Sequence, residues 1–260
     1  MRLDVYLAEN GYTESRERAK RLIAAGKILV DGIVADKPSA EVKGEPTVTV
    51  LEEEGFVGRG GQKLAGALKT FGVDPTGLRA LDIGASTGGF TDCLLKNGAA
   101  EVVALDAGCG QLHPKLLADP RVINMEKYNA RNLSREDVGE VALVVMDVSF
   151  ISQTYILPQI PSVLTENGQL LTLIKPQFEA GRGALNKKGL VKAPRDRILA
   201  IRRVLTAAAE CGLACRGLAP SPIKGGDGNE EYLALLVKGK EACVSELDID
   251  KTVLEGAIAL

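Results

Sequence analysis

From Lys63 onward the chain alternates short apolar runs with helical stretches, and that rhythm restricts it to helices packed on a mostly parallel sheet. The runs are Ala80 to Ile83, Val102 to Leu105, Val122 to Met125, Leu143 to Asp147 and Leu170 to Lys175. Two later runs, Leu213 to Leu218 and Tyr232 to Val237, read as a hairpin, and Arg195 to Cys211 reads as a long helix. The first run leads into Leu81-Asp82-Ile83-Gly84-Ala85-Ser86-Thr87-Gly88-Gly89-Phe90, a strand, a glycine turn and a helix start. Free N–H groups at such a helix start bind anions and polar ligand ends. A dinucleotide fingerprint beginning at Gly84 needs a glycine where Ser86 stands, so close approach of a diphosphate is not provided. Asp82, at the strand tip, is expected to repel a diphosphate and to suit a ligand with ammonium and sulfonium charges, such as S-adenosylmethionine. Asp106 ends the next run, where it can accept hydrogen bonds from ribose hydroxyls.

Residues 1 to 52 have a different texture and read as a small α+β domain. Thr13 can cap a helix from Glu14 to Ala25, and Gly26 can stop it. Ile28-Leu29-Val30, Asp31-Gly32 and Ile33-Val34 predict a hairpin, because Asp-Gly accepts the positive φ angles of a type I′ turn, and Val48 to Leu51 predicts a closing strand. Residues 53 to 62, acidic and then glycine-rich, are expected to be a linker to the domain of residues 63 to 260.

Composition excludes several chemistries. Five cysteines without zinc-like spacing and a single histidine, His113, leave no basis for a metal site or for a Ser-His-Asp triad that does not use His113. Asp4 and Glu9 interrupt any secretory signal, and no apolar run is long enough for a membrane span, so a reduced, cytoplasmic, metal-free protein is expected. The net charge of −2 argues at first against a polyanionic partner, yet the charge is unevenly spread. Arg182 to Arg203 holds eight basic residues, among them Lys187, Lys188 and Lys192, against one acid, and is +7 where the remainder is −9. Arg16, Arg18, Lys20 and Arg21 make a second basic cluster. Two basic faces on an acidic body suit a protein that orients a nucleic acid.

Candidate reacting groups lie at strand ends: Asp147, Lys175 and Glu231, with Lys63 at the first helix after the linker. Residues at the carboxyl ends of parallel strands face the ligand crevice. Two lysines and two acids converging there suit deprotonation of a hydroxyl, with a carboxylate holding a lysine that acts as base. A base amino-methyltransferase is the rival within the same fold. It would need prolines at the segment Asp147-Val148-Ser149-Phe150, which has none, and it gives Lys175 no role. An RNA-binding or assembly factor without catalysis is the rival outside enzymology.

Over essentially its whole length the chain resembles the TlyA family of ribosomal RNA 2′-O-methyltransferases, whose catalytic domain is FtsJ-like. The resemblance rests on Ser15 to Gly32, Arg59 to Leu64, Asp82 to Phe90, Asp147 to Ile151, Ile174 to Phe178 and Gly228 to Tyr232. It implies a Rossmann-like S-adenosylmethionine-dependent methyltransferase fold with a mostly parallel seven-stranded sheet, preceded by a small S-four-type RNA-binding domain. It implies a Lys-Asp-Lys-Glu tetrad at Lys63, Asp147, Lys175 and Glu231, with Lys175 the principal base or steering group. Cofactor contacts are implied for Asp82, Gly84, Ser86, Gly88, Gly89, Asp106 and Asn129, and cytidines of ribosomal RNA as the substrate. Some members carry a haemolysin label, for which the sequence offers neither a span nor a strongly amphipathic basic helix.

Overall fold

The structure is a computed structural model describing residues 1–13, 15–51, 55–239 and 241–260. The chain forms two compact units, Met1–Glu54 and Gly55–Leu260.

In the first unit, α1 (Leu3–Glu9) and α2 (Arg16–Ala24) pack on a sheet of β1 (Ile28–Val30), β2 (Ile33–Val34) and β3 (Val48–Val50) in the order β2-β1-β3. Leu3, Leu7, Leu22, Ile23 and Ile28 form its core. Val30 pairs with Ile33 across Asp31 and Gly32, whose φ angles of 51° and 80° give the expected two-residue turn. The cap of α2 is Ser15, not Thr13: the Ser15 hydroxyl accepts the Arg18 N–H at 3.2 Å, while the Thr13 hydroxyl donates to the Ser15 carbonyl. Glu14, the expected first helical residue, lies outside the described residues. The sequence reading missed α1, which carries a buried Asp4 held by Arg2 at 2.9 Å and Arg16 at 3.3 Å. The hydrogen bond from Arg2 is the main reason the Asp4 carboxyl is drawn down to about 2.

The second unit runs α3 (Arg59–Phe71), β4 (Arg79–Ile83), α4 (Gly89–Lys96), β5 (Glu101–Leu105), α5 (Pro114–Leu117), β6 (Val122–Met125), α6 (Arg135–Val138) and β7 (Val141–Met146). It continues with α7 (Ile160–Val163), β8 (Leu164–Ile174), α8 (Pro176–Glu179), α9 (Pro194–Glu210), β9 (Leu213–Pro220), β10 (Tyr232–Lys238) and α10 (Glu246–Glu255). The seven strands lie in the order β6-β5-β4-β7-β8-β10-β9, with β10 antiparallel to both neighbours and the other pairs parallel. Alternate residues of the central strands feed two cores, as the two-residue period of a strand requires. Leu81, Ile83 and Val103 meet Ile201 and Val204 of α9 on one face, and Ala80, Val102 and Ala104 meet Leu64 of α3 and Leu94 of α4 on the other.

The boundary of the linker needs correction. Residues 55 to 62 belong to the second unit, and α3 begins at Arg59. Val57 N–H donates to Asp92 at 2.9 Å, and Lys96 donates to the Gly55 carbonyl at 2.7 Å. The glycines of the expected linker are there for contact: a Cβ on Gly61 would lie 2.2 Å from the Phe56 side chain, and one on Gly60 would lie 3.3 Å from the Phe90 ring.

Candidate active site

Strand order reverses between β4 and β7, and in an open α/β sheet such a switch point opens a crevice at the carboxyl ends of the strands. Ile83 pairs with Met146, so Gly84 and Asp147 leave the sheet side by side, and the Asp147 N–H donates to the Ile83 carbonyl at 3.0 Å. Gly84 has a φ of 86°, and a Cβ there would lie 2.5 Å from the Asp147 carbonyl oxygen, so only glycine fits. A cavity of about 360 Å³ opens at this point, lined among others by Gly84, Ser86, Asp106, Asn129, Asp147 and Ser149. That volume lies in the usual range for small-molecule sites. Among the described residues two carboxylates and no lysine or arginine line it.

Both oxygens of Asp106 accept backbone N–H groups, from Ser86 at 2.8 Å and Gly108 at 2.7 Å. This fixes the carboxylate while leaving each oxygen a further lone pair for a hydroxyl. Ser86, at a φ of 48°, presents its hydroxyl to the Gln111 side-chain oxygen at 3.2 Å. The Asn129 side-chain oxygen accepts the Arg131 N–H at 3.1 Å.

Three residues assigned to the cofactor from sequence do not line the cavity. Asp82 is wholly buried beneath the turn and accepts the Thr91 hydroxyl at 2.7 Å, while its other oxygen has no hydrogen-bond partner. Burial, followed by the nearby Asp147, pushes its carboxyl up to about 7, so it is not the fixed charge at the strand tip that the sequence suggested. The acidity of the cavity comes from Asp106 and Asp147 instead. Gly88 and Gly89 serve packing: a Cβ on Gly88 would lie 2.1 Å from Leu116, and one on Gly89 would lie 3.0 Å from the Gly61 nitrogen.

Beside the cavity the four groups at the element ends form two ion pairs. Lys175 Nζ lies 2.6 Å from Asp147 Oδ1 and donates a hydrogen bond to Ser149 Oγ at 2.9 Å. Lys63 Nζ lies 2.5 Å from Glu231 Oε2, and both of these residues are buried, at 7% and 3% exposure. The strand register explains the convergence, because Tyr232 pairs with Ile174 and so sets Glu231 across from Lys175. The second turn of α3 adds Lys63, and a Cβ on Gly60, one turn earlier, would come within 3.8 Å of Asp147 Oδ2. Gln177 Nε2 reaches Glu231 Oε1 at 3.5 Å.

Sequence reasoning passed over the residues that brace this arrangement. Glu179, buried, accepts the Ser152 hydroxyl at 2.5 Å and the Gln153 N–H at 2.8 Å, and burial raises its carboxyl above the usual range. Gln153 in turn donates to the Leu173 carbonyl at 2.6 Å and accepts the Thr172 hydroxyl at 2.7 Å, tying the loop after β7 to β8. Phe150 is 92% exposed at a φ of 64°, and its ring centre lies 5.2 Å from that of Phe178. A bulky residue in the left-handed region is a signal of function, and it is invisible in sequence.

The predicted RNA-facing residues divide. Arg16 and Lys20 are engaged within the first unit, with Asp4 and with Glu17 at 2.7 Å; Arg18 is half-buried and Arg21 exposed on the same helix. In the second unit Lys187, Lys188 and Lys192 are exposed, as are Arg182 and Arg195. Arg197 pairs with Glu230, Arg202 with Glu246 and Asp250, and Arg203 donates to the Glu179 carbonyl. Asn229 ties residues 189 and 191 of this stretch to the segment leading into β10, accepting the Val191 N–H at 3.0 Å and donating to the Gly189 carbonyl at 3.1 Å.

Comparison with known proteins agrees with this architecture. Residues 56–238 match the FtsJ-like methyltransferase family and residues 1–48 match the S4 domain. The chain is 41% identical, over 97% of its length and 95% of the relative, to the 16S/23S rRNA (cytidine-2′-O)-methyltransferase TlyA of Mycobacterium tuberculosis. It is 42% identical to the protein named Hemolysin A from Brachyspira hyodysenteriae, over 90% of this chain and 98% of that one. A solved structure from Streptococcus thermophilus, also named a hemolysin, superposes with a TM-score of 0.76 at 38% identity, covering 98% of this chain and 95% of the other. No described helix is long and apolar enough to cross a membrane, and the described residues hold no group that could bind a metal ion.

Proposed function

Since the chain belongs to the TlyA family of FtsJ-like methyltransferases, with an S4 domain ahead of the catalytic one, we propose that it transfers a methyl group from S-adenosylmethionine to the ribose 2′-hydroxyl of cytidine in ribosomal RNA. The observation that carries the reading is the lining of the cavity. Two carboxylates, Asp106 and Asp147, the latter paired with Lys175 at the edge of the cavity, favour a donor carrying ammonium and sulfonium charges over a diphosphate.

S-adenosylmethionine, when bound, supplies an electrophilic methyl group on its sulfonium. The chain does the rest. Asp106 would accept hydrogen bonds from the ribose of the donor, and Gly84, Ser86 and Asn129 line the same cavity. Lys175 holds the target hydroxyl and, once its own proton has left to solvent, receives the hydroxyl proton, with Asp147 balancing the charge restored on the ammonium. The Lys63–Glu231 pair keeps the wall behind it polar but internally neutral, as two buried charges require. Phe150 and Phe178 offer apolar faces beside the tetrad on which an unstacked nucleobase can rest. A ribosomal RNA substrate sets the site of action in the cytoplasm.

The test is transfer of labelled methyl to ribosomal RNA. Lys175→Ala is expected to lower the rate by at least about 100-fold, the low end for general acid–base groups, with the cofactor affinity retained in a calorimetric titration. Undiminished transfer by that variant would remove Lys175 from the mechanism.

A further inference from the structure

The two contacts of Lys175 differ in kind. Asp147 Oδ1 lies 2.6 Å away, but that buried oxygen has no aligned hydrogen-bond partner, so the contact is one of charge and not of direction. The hydrogen bond with aligned geometry runs from Nζ to Ser149 Oγ, at 2.9 Å. Coulombic attraction between a carboxylate and an amine head falls off with distance and is nearly blind to rotation about the Cε–Nζ bond. A hydrogen bond is sensitive to angle and stops that rotation.

We propose that Ser149 is a positioning residue that orients the reacting corner of Lys175 toward the cavity, a role that rests on the methyltransferase reading above. The sp³ nitrogen has four directions. Cε takes one, Ser149 Oγ fixes a second, and Asp147 attracts a third, which leaves the last for the target hydroxyl, beside the cavity that Ser149 and Asp147 both line. In the transfer step Nζ enters as the free amine, its own proton already given to solvent; the 2′-oxygen uses its electron pair to take the methyl, the sulfur keeps the pair of the broken bond, and the hydroxyl proton passes to the Nζ lone pair. That proton transfer needs the free corner of Nζ aimed along the O–H axis, which a rotating head group meets only part of the time.

The loop is built to keep Ser149 there. Phe150 follows at a φ of 64°, a conformation unfavourable for a residue with a Cβ, and turns its own side chain outward against Phe178. Ser152 and Gln153 then anchor the chain on Glu179. A left-handed residue between the serine and a buried anchor holds the hydroxyl on Lys175 at a cost the rest of the loop offsets.

The experiment compares Ser149→Ala and Ser149→Thr with the wild type. Ser149→Ala is expected to lower kcat about 10- to 100-fold, with the KM for RNA and the Kd for S-adenosylmethionine within about two-fold of wild type, and Ser149→Thr to recover most of the rate. An alanine variant with near-normal kcat, one whose loss lies in KM or in cofactor affinity, or a threonine variant as poor as alanine, overturns the proposal. A second measurement does not depend on turnover: nuclear magnetic resonance of the Lys175 side chain should show a restricted head group in the wild type and a freer one in Ser149→Ala. Equal mobility in the two proteins overturns the orienting role even where transfer is seen. Absence of transfer by the wild type, with the mobility difference present, sinks the ribose-methylation reading and leaves the orientation of Lys175 standing.

Discussion

At the scale of single residues, what decides each role is burial, and Asp82 illustrates it. Its place in the sequence suggested a permanent negative charge beside the ligand, whereas the fold sinks the carboxyl and pushes it up to about 7. The sign follows from proton linkage: between the ordinary value of 3.8 and about 7 the folded protein holds one proton more than the unfolded chain, so stability falls as pH rises through that window. Asp82→Asn keeps an acceptor for the Thr91 hydroxyl and carries no charge. It is expected to gain stability relative to wild type as pH goes from about 4 to 7, by at most about 1.4 kcal/mol per pH unit, and to run parallel to it above that. Thermal unfolding measured at pH 5, 6, 7 and 8 checks this, and a constant difference across the series would show that Asp82 is ionised throughout.

At the scale of elements, the site is a product of register and of one buried network. The pairing of Ile83 with Met146 and of Tyr232 with Ile174 aligns the ends from which Asp147, Lys175 and Glu231 project. The loop between Asp147 and the end of α7 has no strand partner and depends on Glu179. Glu179→Ala leaves the Ser152 hydroxyl and the Gln153 N–H buried without their acceptor, which is expected to cost about 2 to 4 kcal/mol of stability in a denaturant titration. A loss below about 0.5 kcal/mol would mean that water replaces the carboxylate and that the loop is held elsewhere. The strands themselves were legible in the sequence because a buried strand must be apolar. Their ends were less so: β7 starts two residues earlier than its run suggests and β8 six residues earlier, at Leu164, because polar residues such as Glu166 and Asn167 can extend a strand where it leaves the core.

At the scale of the whole molecule, charge is distributed to leave a small free basic surface. The +7 segment read from sequence shrinks once Arg197, Arg202 and Arg203 are engaged by the protein itself, and the exposed remainder includes Lys187, Lys188 and Lys192. If each of these lysines meets a phosphate, replacing all three with glutamine is expected to flatten the slope of log affinity for RNA against log salt by about 2 to 3, without altering cofactor affinity. Binding isotherms between 50 and 200 mM salt, chosen to span the range where counterion release is steep, decide it. An unchanged slope would assign the RNA contact to other residues.

Periodicity and residue chemistry in the sequence were enough to determine the mostly parallel sheet, the two-unit organisation, and that Asp147, Lys175 and Glu231 stand at strand ends, because those features depend on residues close together in the chain. Only the tertiary structure decided that Asp82 is buried, that residues 55 to 62 pack as part of the second unit, and that Ser149 gives Lys175 its direction. Burial, ion pairing and close contact are set by residues far apart in the chain. No local pattern records which of them will meet.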